Sequence, residues 1–532
     1  MLTRRNFVSG AAAAATAALL ARPAIGQSTR KMTLRFVPEE NLSVLDPIFS
    51  TVTSTEVHGW HIYDTLYGMD SQFRMKPQMA EGHTVSGDGL SWEFKLREGL
   101  KFHDGERVRA LDCATSMLRW SQRDAFGQQV ASAIDAWEAP DDRTLRVRLK
   151  RPYPRLLEAI ARPSSTGPFI MPDRIAQTDP FKPIAEAIGS GPFRFLPSEY
   201  VSGSRVAYER FDGYLPRNEA ADYTSGGKIA NFQRVEWQVM PDSATAASAL
   251  RNGEVDWIEG VDNDMLPILE SDARVKVAIK DPGGRVAYIR FNVLNAPFNK
   301  AAVRNAVLRS LTQIDYLSAL SGGDPTLYRE CYSMFPCGFP LVGEIAPNVW
   351  KRGAADYETQ KNELKKAGYN GERIVILSAA DIQFIKTMAE ITADTLKKVG
   401  MNVDLQTMDW GTLAQRRASK EPVENGGWSI FPTAWPSVNV ANPAINELTR
   451  GVGQAGFMGW FDSPEMEERT ANYVHANSDS EQQNAFDAVQ QLAFDQAPSA
   501  PVGMFYEKTA FGKDIEGFLP GCWAFPWNLR RV

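Results

Sequence analysis

The chain has few of the residues on which metalloproteins and many enzymes depend. Its 532 residues include only five histidines and four cysteines. The sequence contains no Gly-x-Ser-x-Gly nucleophile motif, no His-Glu-x-x-His zinc motif and no phosphate-binding loop. These absences argue against the common serine hydrolases, zinc proteases and nucleotide-dependent enzymes. We therefore expect a protein that is not an enzyme and that carries no cofactor.

The chain also lacks a hydrophobic run long enough to cross a membrane. The longest one, Gly10–Ala21, has about a dozen residues, whereas a spanning helix needs about 20. It follows the sequence Thr3-Arg4-Arg5-Asn6-Phe7-Val8 and precedes the small-x-small site Ala24-Ile25-Gly26. This arrangement predicts a twin-arginine export signal that is cleaved near Gly26/Gln27. An ordinary Sec signal with two arginines is the alternative, and it leads to the same compartment.

No cysteine lies near the predicted cleavage site, so we expect a periplasmic protein without a lipid anchor. Three of the 58 basic side chains lie within the first 26 residues, and the mature chain is therefore more acidic than the formal net charge of −6. An acidic surface argues against nucleic acid and anionic lipid as partners.

A chain of this length is longer than one hydrophobic core usually accommodates, so we expect two or three domains.

The cysteines predict one local disulfide. Cys331 and Cys337 are separated by six positions across Pro336, in a turn-rich stretch that would lie in an oxidising compartment. Cys113 follows Asp112 in an apparent helix, where it is expected to be a small buried apolar residue. Cys522 is a further partner for Cys113, and the sequence does not decide between these arrangements.

The pattern of apolar residues predicts a mixture of short strands and longer helices. Leu90–Leu96 and Thr144–Leu149 alternate with period two, as half-buried strands do. A helix is predicted for Ala110–Ser121, with an apolar stripe formed by Leu111, Ala114, Met117 and Leu118. Further helices are predicted at Ala244–Asn252, Ala301–Thr312, Asp381–Val399, Thr412–Lys420 and Asp479–Ala497, and further strands at Val235–Met240, Val286–Asn292, Arg373–Ser378 and Asn402–Met408. The segment Ile374–Met408 therefore predicts a βαβ unit with a parallel strand pair.

Six separated segments resemble, in order, one known family. They are Val44–Pro47 (VLDP), Ile62–Leu66 (IYDTL), Pro77–Gly105 (PQMAEGHTVSGDGLSWEFKLREGLKFHDG), Gly189–Phe193 (GSGPF), Ala249–Asp256 (ALRNGEVD) and Tyr288–Ala306 (YIRFNVLNAPFNKAAVRNA). Together they are similar to the peptide and nickel type, family 5, of extracellular solute-binding proteins that serve ABC importers. Each segment also has a plain structural interpretation, such as a turn at Phe102–Gly105 in which Gly105 adopts positive φ.

The resemblance implies an α/β, two-lobed periplasmic binding protein of type II, with an additional small domain inserted in the first lobe. The implied first lobe comprises residues 27–66, 188–285 and 507–532, the inserted domain 67–187 and the second lobe 286–506. The protein would be a monomer that captures a small polar or peptide-like solute between the lobes. It would then deliver that solute to a permease in the inner membrane.

The resemblance also implies two segments that line the solute pocket. The first is Ser50–His58, which offers Thr53, Ser54, Thr55 and His58. Its alternative role is to cap the following helix, since Ser and Thr are good caps. The second is Phe431–Asn442, and the candidates in and near it are Trp410, Trp428, Trp435 and Asn439. The alternative role of each tryptophan is packing in the core.

The second segment departs from the peptide-binding members of the family. In those proteins an aspartate follows the tryptophan and pairs with the α-ammonium group of the peptide. Here Trp435–Asn439 contains no carboxylate. A buried ammonium without a counter-charge costs several kcal/mol, so a free peptide amine would need another acid, such as Asp409 or Glu56. Acidic, zwitterionic and sugar-like solutes are the alternatives.

A rival hypothesis is an exported enzyme or a cofactor-binding periplasmic protein, because the twin-arginine route often carries folded enzymes with cofactors. His58 and His61 lie three positions apart and would share a helix face. Without a third ligand nearby, this spacing is weak support for a metal site. A bound chromophore or a stoichiometric metal in the purified protein would favour this rival.

Overall fold

A computed structural model describes residues 32–163, 166–343 and 356–532. The predicted signal sequence and its cleavage site at Gly26/Gln27 lie outside these described residues. Within them, none of the helices combines the length and apolar character that a membrane span requires.

A mixed seven-stranded sheet forms the first lobe. Strand β1 lies in its interior and pairs in parallel with β10 on one side and with β11 on the other. The sheet draws its strands from the beginning, the middle and the end of the chain. Numbered in chain order and given in spatial order, they are β12 (Val275–Ile279), β19 (Lys508–Gly512), β11 (Trp257–Val261), β1 (Thr33–Val37), β10 (Arg234–Gln238), β9 (Arg205–Arg210) and β8 (Phe193–Phe195).

A six-stranded sheet forms the second lobe. In spatial order its strands are β14 (Tyr328–Arg329), β18 (Ser499–Phe505), β13 (Arg285–Phe291), β17 (Ile430–Pro436), β15 (Arg373–Ala379) and β16 (Asn402–Met408). Strands β15 and β16 run parallel, and the helix Gln383–Lys398 connects them. The predicted βαβ unit is confirmed. Ile374 and Ile376 of β15 are fully buried, as is usual where helices cover a parallel pair.

A smaller antiparallel sheet forms the part of the molecule that we call the insert. Its strands, in spatial order, are β4 (Ala80–Val85), β5 (Ser91–Leu96), β7 (Thr144–Leu149) and β6 (Ile134–Asp141). Two-stranded ribbons are formed by β2 (Tyr67–Met69) with β3 (Met75–Pro77), and by β20 (Ile515–Glu516) with β21 (Arg530–Arg531). Gly105 has φ of 93°, which confirms the predicted turn at this position.

The α-helices lie between and over the sheets. In chain order they are α1 (Thr53–Ile62), α2 (Ala110–Trp120), α3 (Ala125–Ala133), α4 (Leu156–Ala161), α5 (Asp173–Ala176), α6 (Ser243–Arg251), α7 (Leu266–Glu270), α8 (Ala301–Ser310), α9 (Gln313–Leu320), α10 (Tyr357–Lys366), α11 (Gln383–Lys398), α12 (Trp410–Arg416), α13 (Pro464–His475) and α14 (Asp479–Gln496). Most predicted helices and strands agree with these bounds to within two residues, but α12 begins two residues earlier and ends four earlier than predicted.

The predicted apolar stripe on α2 is half right. Ala114 and Met117 are buried as predicted, but Leu111 and Leu118 are 45% and 53% exposed. Ala110, Cys113 and Trp120 complete the buried set, and its spacings place it on one helix face. Cys113 is buried and free, as is Cys522, whereas Cys331 and Cys337 form a disulfide.

The two lobes are joined through a cluster of charged side chains. Lys280, directly after β12, lies 3.0 Å from a carboxylate oxygen of Glu259 and 3.4 Å from one of Glu39. Arg285, at the start of β13, lies 2.7 Å from Glu507 and 3.2 Å from Glu39. Burial alone would lower the pKa of Lys280, but the charges of Glu259 and Glu39 outweigh it and raise that pKa above its ordinary value.

We expect Lys280→Met to lower the free energy of unfolding by about 3 kcal/mol, because it leaves the buried Glu259 carboxylate without its counter-charge. Denaturant unfolding would measure this loss. Lys397→Met in the exposed last turn of α11 is the control, and a change of about 0.5 kcal/mol or less is expected there. Equal effects of the two substitutions would contradict the role given to Lys280.

Candidate functional site

The insert and the second lobe are in direct contact. The Asn442 amide donates a hydrogen bond of 2.7 Å to Glu158 of α4, and the rings of Phe73 and Phe339 lie 4.3 Å apart. Side chains near this boundary are candidates for solute binding, because pockets commonly form where domains meet.

Two open surface depressions lie elsewhere and contain none of the site residues predicted from the sequence. One, of about 510 Å³, lies on the sheet of the insert and includes Glu93, Arg146 and Arg148. The other, of about 640 Å³, lies beside helices α9 to α11 and includes Tyr357 and Glu390. Neither depression lies between the lobes.

Two of the predicted hydroxyls at the start of α1 are already bonded to backbone carbonyls. Ser54 Oγ donates to the carbonyl of Asn41 at 3.0 Å, and Thr55 Oγ1 donates to that of Val44 at 2.9 Å. Thr53 remains partly exposed. The N-cap residue is Val52, whose side chain makes no capping hydrogen bond, and the carboxylate of Glu40 accepts from the Ser54 amide at 3.2 Å instead. The hydroxyls therefore tie α1 to the preceding loop instead of capping it.

His58 is fully buried beneath this segment. Its Nδ1 lies 2.8 Å from the hydroxyl of Tyr208, and burial lowers its pKa to about 3. His61 Nδ1 bonds the Val57 carbonyl at 2.7 Å, while its Nε2 accepts a hydrogen bond of 3.3 Å from the indole of Trp237. In the described ranges, no group of three metal-binding side chains comes together.

The two tryptophans near Phe431 have different environments. Trp428 is fully buried, with Phe431 5.1 Å and Trp460 5.9 Å from its ring centre. Trp435, on β17, is partly exposed and meets the edge of Phe457 at 5.4 Å. Trp428 thus packs in the core, which was the alternative role considered for each tryptophan. Part of the Trp435 ring is exposed.

Asn439 is almost completely buried, and its side-chain oxygen accepts no hydrogen bond. The hydroxyl of Ser437, in the same short helical turn Ser437–Val440, is also without a partner. Buried polar atoms are nearly always hydrogen-bonded. Two orphaned groups in one turn therefore indicate a place where a ligand or water completes the bonding.

Arg417 is a site candidate that the sequence reasoning missed. Its guanidinium lies 5.0 Å from the ring centre of Trp410, 5.7 Å from that of Phe431 and 6.0 Å from that of Phe457. The residue is partly exposed, it forms no ion pair with any residue that the structure describes, and its buried Nε has no hydrogen-bond partner. Burial lowers its pKa to about 10, although the charge of Glu447 opposes this effect. In the sequence, the contact between Arg417 and Trp410 was indicated only by the seven positions that separate them.

Asp409 and Glu56, the two acids considered as substitutes for the missing aspartate, have different environments. Asp409 is the N-cap of α12, and its carboxylate accepts a hydrogen bond of 3.0 Å from the Thr412 amide. Glu56 is fully buried, and neither of its carboxylate oxygens has a partner. Burial raises the pKa of Glu56 well above its ordinary value, and the nearby charges of Asp124 and Asp46 add to this effect.

Comparisons with known proteins identify similar proteins over almost the whole chain. Residues 74–455 match the family model described as bacterial extracellular solute-binding proteins, family 5 Middle. A probable peptide ABC transporter periplasmic-binding protein, y4tO of Sinorhizobium fredii, is 34% identical over 100% of this chain and 99% of its own. The glutathione-binding protein GsiB of Escherichia coli is 24% identical over 91% of each chain.

The solved structure of the periplasmic binding protein AgaA from A. tumefaciens R10, in complex with agropinic acid, has a TM-score of 0.79 to this chain. It covers 94% of this chain and 99% of its own at 22% identity. At that level of identity the match shows the fold. The predicted two-lobed α/β architecture is thereby confirmed.

The different environments of the two tryptophans generate a prediction. We expect Trp428→Ala to lower the free energy of unfolding by about 3 to 5 kcal/mol, because it empties a buried site. Trp435→Ala should cost less than about 2 kcal/mol, because part of its ring is already exposed. Denaturant unfolding of both variants checks this, and equal losses would contradict the different burial of the two rings.

Proposed function

The chain belongs to the bacterial extracellular solute-binding proteins of family 5, the solute-binding components of ABC importers, and we propose that it captures a small peptide-like solute bearing an anionic group. The family consists of transport proteins and not of enzymes. The names of y4tO and GsiB, which refer to peptide and to glutathione, support a peptide-like solute.

The observation that carries this proposal is the environment of Arg417. Arg417 is partly exposed, its guanidinium lies near the rings of Trp410, Phe431 and Phe457, and no carboxylate of the described chain pairs with it. Its Nε is buried without a hydrogen-bond partner, which is costly. The planar guanidinium can bind a carboxylate through two parallel hydrogen bonds while aromatic faces hold it in place. A carboxylate of the solute would supply the missing partner.

We further propose how the residues predicted from the sequence contribute to the site. Thr53, Trp410, Trp435 and Asn439 would line it, since each is partly exposed or has an unused polar atom. Ser54, Thr55, His58 and Trp428 would support the site from behind, because they are buried and packed or bonded within their own lobe. The aromatic faces would bind the apolar parts of the solute.

The cellular setting is part of the proposal. We propose that a twin-arginine signal directs the chain to the periplasm and is cleaved near Gly26/Gln27, and that the mature protein works as a monomer. The proposed boundaries are 27–66, 188–285 and 507–532 for the first lobe, 67–187 for the insert and 286–506 for the second lobe. Solute that contacts both lobes would favour the closed shape, which the inner-membrane permease would recognise.

Isothermal titration calorimetry with a panel of small peptides, opines, amino acids and sugars tests this function. We expect one solute per chain, and an affinity that depends on a carboxylate of the solute. Arg417→Gln should weaken binding by roughly tenfold to a hundredfold, which is the usual worth of hydrogen bonds to charged groups.

The matched control is Arg309→Gln, which removes an exposed arginine from the same lobe and should leave the affinity unchanged. Unchanged affinity in Arg417→Gln, or tight binding of uncharged sugars alone, would contradict the proposed function.

A further inference from the structure

A buried ion pair holds the insert to the first lobe. Two nitrogens of the Arg119 guanidinium, in α2, lie 2.7 Å and 3.1 Å from the carboxylate oxygens of Asp46, and both side chains are almost completely buried. The Ile184 amide donates a further hydrogen bond of 3.0 Å to this carboxylate. Breaking such a pair is strongly unfavourable, because it leaves buried charges without partners. We therefore expect the insert and the first lobe to move as one body.

The insert meets the second lobe around α4 through contacts of a different kind. Glu158 of α4 accepts the hydrogen bond of 2.7 Å from the Asn442 amide. The guanidinium of Arg155, which directly precedes α4, lies 5.6 Å from the ring centre of Tyr473 in the last turn of α13. Among the residues that the structure describes, the ion pairs of the insert lie within it or reach the first lobe, and none crosses to the second lobe.

Phe73 forms another contact with the second lobe, at the tip of the hairpin of β2 and β3. Its ring centre lies 4.3 Å from that of Phe339. Phe73 has φ of 61°, a left-handed conformation that is uncommon for a bulky side chain. The Asp70 carboxylate holds this turn by accepting hydrogen bonds from the amides of Gln72 at 3.0 Å and Arg74 at 2.9 Å. Backbone strain of this kind points to a functional role for the contact that it maintains.

The two boundaries of the insert therefore differ in how readily they separate. Hydrogen bonds and aromatic contacts can be exchanged for contacts with water at modest cost, whereas a buried ion pair cannot. When the lobes open about the junction formed by Lys280 and Arg285, the boundary with the second lobe can part while the boundary with the first lobe stays intact.

We propose that the insert carries a clasp that stabilises the closed shape even when no solute is bound. The clasp consists of three contacts, which are Glu158 with Asn442, Arg155 with Tyr473 and Phe73 with Phe339. These contacts favour the closed shape alone, because they part when the lobes open. The clasp thereby sets the fraction of closed molecules, and with it the apparent affinity for solute. This inference rests on the proposed function and specifies how its closed shape is reached.

Phe73→Gly tests the clasp without straining the fold. Glycine readily adopts the positive φ of this position, so the substitution removes the ring and keeps the turn. Small-angle X-ray scattering of the solute-free protein should give a larger radius of gyration for this variant than for the unchanged chain. Phe181→Ala, which removes a 63% exposed ring from the insert, is the control and should leave the radius unchanged. Equal radii for Phe73→Gly and the unchanged chain would overturn the inference.

Glu158→Ala tests the clasp at α4, because it removes the acceptor of the Asn442 hydrogen bond. It should also enlarge the solute-free protein, and its combination with Phe73→Gly should enlarge the protein further. Glu81→Ala is the control, since it removes an exposed carboxylate from the same insert. An enlargement in Glu81→Ala as great as that in Glu158→Ala would contradict the role given to Glu158.

Calorimetry provides a readout that distinguishes the clasp from a contact with solute. Phe73→Gly lowers the closed fraction, so it should weaken the binding of every solute by the same factor, about twofold to tenfold. The probes are glutathione, Ala-Glu and any other solute that the calorimetric panel identifies. A factor that differs from one solute to another would mean that Phe73 contacts the solute, and the clasp would then be refuted.

The outcomes separate this inference from the proposed function, because the scattering comparison needs no solute. Unchanged radii together with binding of an anionic solute would overturn the clasp while the proposed function stands. A larger radius in Phe73→Gly together with no binding by any solute of the panel would support the clasp and overturn the proposed function. If the radii are equal and no solute binds, both proposals fail.

Discussion

The charged cluster at the junction of the lobes determines how the rest of the molecule is arranged. Lys280 and Arg285 lie on one chain segment between the lobes, Glu507 lies on the other, and Glu39 and Glu259 belong to the first lobe. Because the positive charges are shared among three carboxylates, neither segment can shift alone without separating buried charges. The cluster therefore fixes the junction at which the two lobes meet.

Away from this junction, both lobes contain polar atoms without a partner. In the second lobe these include Nε of Arg417, the hydroxyl of Ser437 and the side-chain oxygen of Asn439. In the first lobe they include Nε2 of His58 and both carboxylate oxygens of Glu56. The two sets differ in exposure, because His58 and Glu56 are fully buried whereas Arg417 is partly exposed.

Local patterns in the sequence predicted most of the secondary structure, because period and turn residues act over short distances. Strand β16 was predicted to the residue, and the family motifs led to the correct architecture. The site was less predictable. Trp428 and Trp435 are both aromatic residues in apolar surroundings, and only tertiary packing shows that one is buried and the other partly exposed. Arg417 and Phe457 are forty positions apart, so the packing of the guanidinium against this ring leaves no local signal.

The strand order of the first lobe has a consequence for synthesis of the chain. Strand β19, from Lys508 to Gly512, lies between β11 and β12 and is the strand through which β12 joins the sheet. Strand β18 of the second lobe, Ser499–Phe505, comes only three positions before β19 begins. Neither sheet can therefore be completed before residues 499–512 have been synthesised. The two lobes complete their sheets with neighbouring strands, and neither can finish its sheet well before the other.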